Sequence, residues 1–465
     1  MVVILKDELK YLPQSDASNP PLNPSVSLLN VQDKSVELDF SGGVLTSDAG
    51  VLLLREVEEQ IGLIQAMVEV ISDLRDARYV KHTLTDLLIQ RIAQIACGYE
   101  DANDCKDLRN DPGFKMLAGR FPELDEALAS QPTMSRFENS ISTTTLYRLA
   151  KAFVDTFVAS YEKAPEIIVL DFDDTNNNVH GHQQLSLFNG YYGESCFMPL
   201  HVYEGLSGKL ITTILKPGKR SNGEQVLAIA KRLILYLRTK WPKTRIVFRG
   251  DSHLTYPEVM DWIDTQENVM FVTGLTGNVR LQEAVKTLVE HEKRIFESYG
   301  QKTTRFHSFY YQAGSWSRSR RVIAKIEVSE KGTNVRFVVT DMEQAKASVL
   351  HRVIYCARGE DELYIKDHKR YLKSDRSSCQ KFQANQFRLF LHSAAYVFLH
   401  TLKTNILKHT PFAHATMETI QLRLLKIGAR VRELKTKIKV EISSSYPLKD
   451  ILRGSFQMFE LLRGT

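Results

Sequence analysis

Apolar positions along this chain change their spacing twice. Between residues 45 and 160 they recur every three to four residues, as on helices with one buried face. Leu84 to Ala96 and Thr144 to Ser160 are the clearest such segments, and Ser47 or Asp48 is placed to cap an earlier helix after the Gly42-Gly43 turn. At Glu166 the texture becomes short β-branched runs. EIIVLDFDDT, CFMPLHVYEG and KLITTILK read as three strands, with Gly205 to Gly208 turning between the last two. A helical stretch follows from Gly223 to Thr239, then the strand RIVFRGD, then a helix opened by Pro257, which is the alternation of an α/β domain. Residues 303 to 341 return to strand patterning and 345 to 372 to helix. Four prolines among residues 12 to 27 exclude helix or central strand, so the chain is expected to open on a flexible leader.

The expected organisation is therefore a leader over 1–35, a helical N-terminal domain over 36–160, an α/β core over 161–400 interrupted by a β insertion at about 270–345, and a basic helical tail over 401–465. A length of 465 residues excludes a single small module, and 43% hydrophobic with 25% charged residues excludes disordered and collagen-like classes. Five scattered cysteines without a C-x-x-C pair give neither a disulfide framework nor a zinc ribbon, and suit a reducing cytoplasm. No run of about 18 apolar residues is present, so no membrane partner is expected.

The net charge of +6 is modest, but its distribution is uneven. Eleven Lys or Arg stand against Glu224 alone between Gly205 and Gly250, and nine against Glu418 and Glu433 between His400 and Val440. Either segment can be a solvated face or a surface laid along a phosphate backbone.

Candidate chemistry gathers at strand ends. Asp171, Asp173 and Asp174 close the first strand, with Asp171 and Asp173 on one face and Asp174 on the other. Asp251 closes the RIVFRGD strand. Both lie at a carboxyl edge, where open α/β sheets bind ligands, although acids there also serve as turn and cap residues. Tyr355, Arg358, Glu362 and Lys369 fall at offsets of 0, 3, 7 and 14, which at about 100° per residue places all four within about 60° on a helix. An i,i+4 charge pair explains Arg358 and Glu362 but not the Tyr and the distal Lys on the same line. Gly359 leaves open whether Tyr355 precedes that helix. His180 and His182 lack a third placed ligand for zinc.

The spacing Tyr355-x2-Arg358-x3-Glu362-x6-Lys369 resembles the Y-R-E-K signature of bacterial insertion-sequence DDE transposases. LDFDDT, HGHQ, FNGYYG, PLHVYEGLSGKL, LKPGKR, FRGDSHL and FQANQFRL resemble that family's group-1 members over about residues 36 to 440. The resemblance implies a ribonuclease-H-like core in which Asp173, Asp251 and Glu362 hold two Mg²⁺ ions, with Mn²⁺ as a substitute. Asp173 fits the D-x-T pattern ending at Thr175, and Asp171 is the alternative first aspartate. Arg358 and Lys369 would meet DNA-end phosphates beside Tyr355. Lys216, Lys219 and Arg220 are further candidate phosphate contacts. Trp316, with Arg318, Arg320 and Arg321, either stacks on an extruded base or packs within its own hairpin. The implied activity is cleavage at terminal inverted repeats and joining to target DNA, by a homodimer bridging two double-stranded ends at the bacterial nucleoid. Region 36–160 is the expected end-recognition domain. Three other readings are a nuclease that cuts without joining, a catalytically inactive DNA-binding relic, and a phosphohydrolase using the D-x-D-x-T string.

Overall fold

The computed structural model describes residues 26–464 except His180. The leader expected over 1–35 lies outside the described residues up to position 25. Its remainder is not leader: Val26–Val31 and Lys34–Leu38 pair as an exposed antiparallel hairpin.

A mixed sheet of eight strands organises the molecule. In chain order these are β1 (Ile167–Asp174), β2 (Leu200–Glu204), β3 (Lys209–Ile214), β4 (Arg245–Gly250), β5 (Val269–Leu275), β6 (Thr303–Tyr311), β7 (Arg320–Ser329) and β8 (Gly332–Thr340). The sheet order is β6-β7-β8-β5-β4-β1-β2-β3. β4 runs parallel to both β1 and β5, whereas β2 is antiparallel to both β1 and β3. The central strands are apolar on both faces because helices cover both sides, as parallel strands require. On one face Gly223–Lys240, opened by an Asn222/Gln225 capping box, and Pro257–Ile263, with proline in its first turn, bury Phe172, Phe248 and Phe271.

The insertion differs from expectation in two ways. Its strands β6 to β8 do not form a separate β unit but extend the main sheet, because β8 pairs antiparallel with β5. Between β5 and β6 the chain forms the long helix Val279–Tyr299.

The helical region is likewise not a detached domain. Leu84–Ala96 and Thr143–Ala159 share one apolar core with Phe382–Thr401. That last helix buries sixteen of its twenty residues, its apolar side chains in the core and its buried Asn385, Gln386 and His392 hydrogen-bonded to neighbouring segments. The basic segment after residue 428, expected as helical tail, is instead the hairpin Ala429–Leu434 with Lys437–Ile442, which pairs with Leu45–Thr46. Its alternating exposed and half-buried side chains show period 2, and helix returns only at Lys449–Arg463. Among the described residues no helix is long and apolar enough to cross a membrane.

Candidate active site

The parallel register of β1 and β4 sets the site. Arg249 stands opposite Asp171 and Gly250 opposite Phe172, so Asp251 follows level with Asp173. The two strand-end acids thus share one edge of the sheet. Asp251 caps the turn that follows, its Oδ1 accepting from His253 N–H at 2.7 Å, and Arg220 holds that turn from outside by donating to the His253 carbonyl at 2.8 Å.

The tetrad residues reach the same edge from a helical run over residues 347–371. Its winding is not uniform: Leu350–Tyr355 and Asp367–Tyr371 are π turns, Cys356–Glu360 is 3-10, and only Asp361–Lys366 is a regular α segment of any length. Wide turns of this kind are rare and cluster at functional sites. Tyr355 lies inside the run, over β5 and next to the Asp251 turn. A Cβ on Gly274 would come within 2.6 Å of the Tyr355 hydroxyl and 2.8 Å of Ser252 N, so glycine is what lets strand, turn and tyrosine meet. Burial pushes the Tyr355 hydroxyl up, which keeps its proton in place.

Arg358 stands between two of the acids. Its guanidinium lies 3.6 Å from Asp173 Oδ2 and 3.6 Å from Glu362 Oε1. Burial pushes the Asp173 carboxyl up to about 7; the Arg358 charge opposes this, and the nearby Asp251, Asp174 and Glu362 carboxylates add to it. Glu362 is the outlying member, with 69% of its side chain exposed. Among the described residues no three His, Cys, Asp or Glu side chains stand close enough to hold a metal ion. The donor chemistry nevertheless suits a hard divalent cation: Asp173, Asp251 and Glu362 offer carboxylate oxygens, and burial, together with the neighbouring carboxylates, leaves the charged form of Asp173 short of compensation.

Lys369 turns back toward the sheet. Its ammonium binds the Asn176 carbonyl, the Asn176 side-chain oxygen at 3.0 Å and Thr175 Oγ1 at 3.4 Å, so it braces the loop after β1. Burial lowers its pKa. Beside it the chain offers exposed charge that sequence reading missed. A shallow cleft of about 410 Å³ next to Glu362 is lined by Lys366, Lys369, Arg370, Lys373, Asp375 and Arg376. Lys366, Arg370 and Arg376 are exposed and make no ion pair among the described residues. The signal was in KDHKRYLKSDR, whose bases recur at helical spacing.

Several expected site residues have other work. Asp171 is fully buried in a bidentate pair with Arg249, which leaves it no free oxygen edge to act as first aspartate or phosphoryl acceptor. Lys216 is buried against Asp174 at 2.6 Å and Ser221, so it is not a phosphate contact. Trp316 is 6% exposed and packs edge to face on Tyr311, closed to any base. Arg318 and Arg320 pair with Asp264 and Asp261, and Arg321 donates to the carbonyls of Met342, Glu343 and Ala345. Charge there is spent inside the protein. Lys219 remains exposed at the edge. The FQANQFRL motif is a brace: Gln386 accepts from Leu215 N–H at 2.6 Å, and Asn385 donates to Gln183 at 3.2 Å.

With this geometry in place, comparison with known proteins gives one decisive match: the model of the family described as "Transposase DDE domain group 1" covers residues 29–463. The chain belongs to that family. No curated protein sequence matches it. Among solved structures it is similar to "Cryo-EM structure of piggyBac transposase synaptic complex with hairpin DNA (SNHP)", at 11% identity and a TM-score of 0.43, over 82% of this chain and 80% of that one. That likeness is too distant to set residue against residue.

Proposed function

We propose that the protein cuts DNA at the terminal inverted repeats of its own element and joins the freed ends to target DNA, with Asp173, Asp251 and Glu362 as the catalytic carboxylates. One observation carries the reading. The ends of two neighbouring parallel strands and the Tyr355/Arg358/Glu362/Lys369 helix converge on one edge of the sheet, in a chain of transposase family. The order β3-β2-β1-β4-β5, with β2 alone antiparallel to its neighbours, supports the ribonuclease-H-like reading of the core.

The three carboxylates would hold divalent cations, Mg²⁺ or Mn²⁺, which when bound stabilise charge on the attacking and leaving oxygens of a phosphodiester. The chain's own groups do the positioning. Arg358 presents a planar fork at the edge, suited to a phosphate once the carboxylates are otherwise neutralised. Lys369, through Thr175 and Asn176, fixes the loop that leaves β1 just after Asp173 and Asp174. The basic cleft beside Glu362 and exposed Lys219 offer charge to the backbone of a double-stranded end. Bridging two ends calls for two copies of the chain.

The test is Mg²⁺-dependent cleavage of labelled DNA carrying the sequences that flank the gene, with Asp251→Asn and Glu362→Gln as controls. The expected result is nicking at the repeat ends with joined products, both lost in each variant. Cleavage without joining identifies a nuclease, and binding without cleavage in any divalent metal identifies an inactive relic.

A further inference from the structure

A small hairpin rooted beside the carboxylate edge is left unused by this chemistry. Its strands are Leu187–Asn189 and Glu194–Phe197, and the second pairs with Asn177–Asn178, three residues beyond Asp174. Gly193 turns the tip at φ 69°, and Tyr191 N–H donates to the Asn189 side chain at 3.0 Å. From Leu185 to Gly193 there is no Asp, Glu, Lys or Arg. Instead the tip shows aromatic rings to solvent: Tyr191 is 83% exposed and Phe188 66%. Tyr191 and Tyr192 meet edge to face at 4.9 Å, which fixes their planes.

The hairpin is clamped to a basic loop. Asn189 donates to the Gly218 carbonyl at 3.0 Å, and Phe197 bridges to Pro217. A Cβ on Gly218 would lie 2.2 Å from the Cys196 carbonyl and 2.4 Å from that of Leu187, so only glycine lets the loop lie flat on the hairpin. Exposed Lys219 is thereby held near the aromatic tip, and it makes no ion pair among the described residues. The Tyr192 hydroxyl is pushed up by burial, then by Tyr191 and Cys196, and also by Asp173 and Asp174, which puts the tip within electrostatic reach of the reacting edge.

We infer that this hairpin is a stacking platform for an unpaired nucleobase of the DNA strand at the site, with Tyr191 and Phe188 taking the base and Lys219 the adjoining phosphate. The inference rests on the DNA-processing reading above. Aromatic faces interleaved with cations hold single strands with little sequence preference, and a base becomes available to them only when unstacked from its duplex.

The test uses the full chain without divalent metal, and three fluorescent probes: a single-stranded oligodeoxythymidine, an abasic oligomer of equal length, and a duplex. The thymidine strand is expected to bind at least about fivefold more tightly than the abasic one. Tyr191→Ala and Phe188→Ala should remove most of that difference, and Tyr191→Trp should keep it. Both side chains face solvent, so folding is not at issue. Lys219→Ala should weaken both single strands alike. Equal binding of the two single strands by a protein that still binds duplex overturns the platform and spares the transposase reading. Binding of no DNA removes both. Variants that alter the oligomeric state and leave base preference untouched make the hairpin a protein contact and overturn the inference.

Discussion

Asp171 and Asp173 sit two residues apart on one strand, in opposite electrostatic surroundings. Asp171 has a guanidinium in bidentate contact and is shut off from solvent, so removing it takes the carboxylate from a buried Arg249 that otherwise donates to the Ile354 carbonyl. Asp171→Ala should therefore cost about 3–5 kcal/mol of stability, read as a large drop in melting temperature. Asp173 is raised from 3.8 to about 7 by burial and by the nearby carboxylates. Between those values the folded protein holds a proton that the unfolded chain has released, so this group removes stability as pH rises through the window. Without divalent metal, Asp173→Asn should melt above wild type at about pH 8, by on the order of 1–4 kcal/mol. The gap should close near pH 4. Equal melting at both pH values would mean that Asp173 is solvated and its neighbours distant. Repetition of Asp in LDFDDT hid this difference, because only the pairing of β1 with β4 reveals which acid meets Arg249.

At the scale of elements, the helix Phe382–Thr401 governs what can be removed. Sixteen buried residues hold it among Leu84–Ala96, Thr143–Ala159 and β3, with Phe387 against Phe137 and Phe390 against Phe153. Deleting residues 45–160 should leave the rest insoluble or molten rather than a folded core, because that deletion strips the cover from this helix. A cooperative melt of the truncated chain would refute the single core. Within the helix, Phe387→Ala should cost about 3–5 kcal/mol, measured by denaturant titration. The strands of the core and the Asp251 turn were legible in the sequence, because β-branched runs ending in acids are local signals. The sharing of a core by distant helices was not, since periodicity shows that a face is buried but not against what. The C-terminal hairpin was missed for a related reason: Lys and Arg at nearly every second position suit a strand and a solvated helix alike, and pairing with Leu45–Thr46 decides the matter. Trp316 was left between two readings, and its edge-to-face contact with Tyr311, five residues earlier in the same hairpin, favours packing there.

On the whole molecule, the sum of charge says less than where unpaired charge remains. Lys216, Lys240 and Arg249 of the first basic segment and Arg318 and Arg320 of the insertion are held in ion pairs, whereas Lys366, Arg370 and Arg376 face solvent next to Glu362. Duplex affinity should fall steeply with salt, and each of Lys366→Ala, Arg370→Ala and Arg376→Ala should reduce the slope of log K against log salt by about 1 for each phosphate that the missing cation had neutralised. Arg318→Ala should leave that slope unchanged. A uniform slope across all four variants would place DNA elsewhere.

The two ends of the described chain close on each other. Leu45–Thr46 pairs with Ala429–Arg430, the Ala49 amide donates to the Ile427 carbonyl at 2.9 Å, Lys426 stands 3.5 Å from Asp48, and Arg463 stands 3.5 Å from Glu56. During synthesis the first helices must therefore wait for partners made more than about 350 residues later, roughly 20 to 70 seconds at elongation rates of about 5–20 residues per second. The part of their apolar faces that these late segments cover stays open for that whole interval. A stop before Phe382–Thr401 would leave them without that cover, so a message cut short there yields a chaperone client rather than a shortened transposase-family protein.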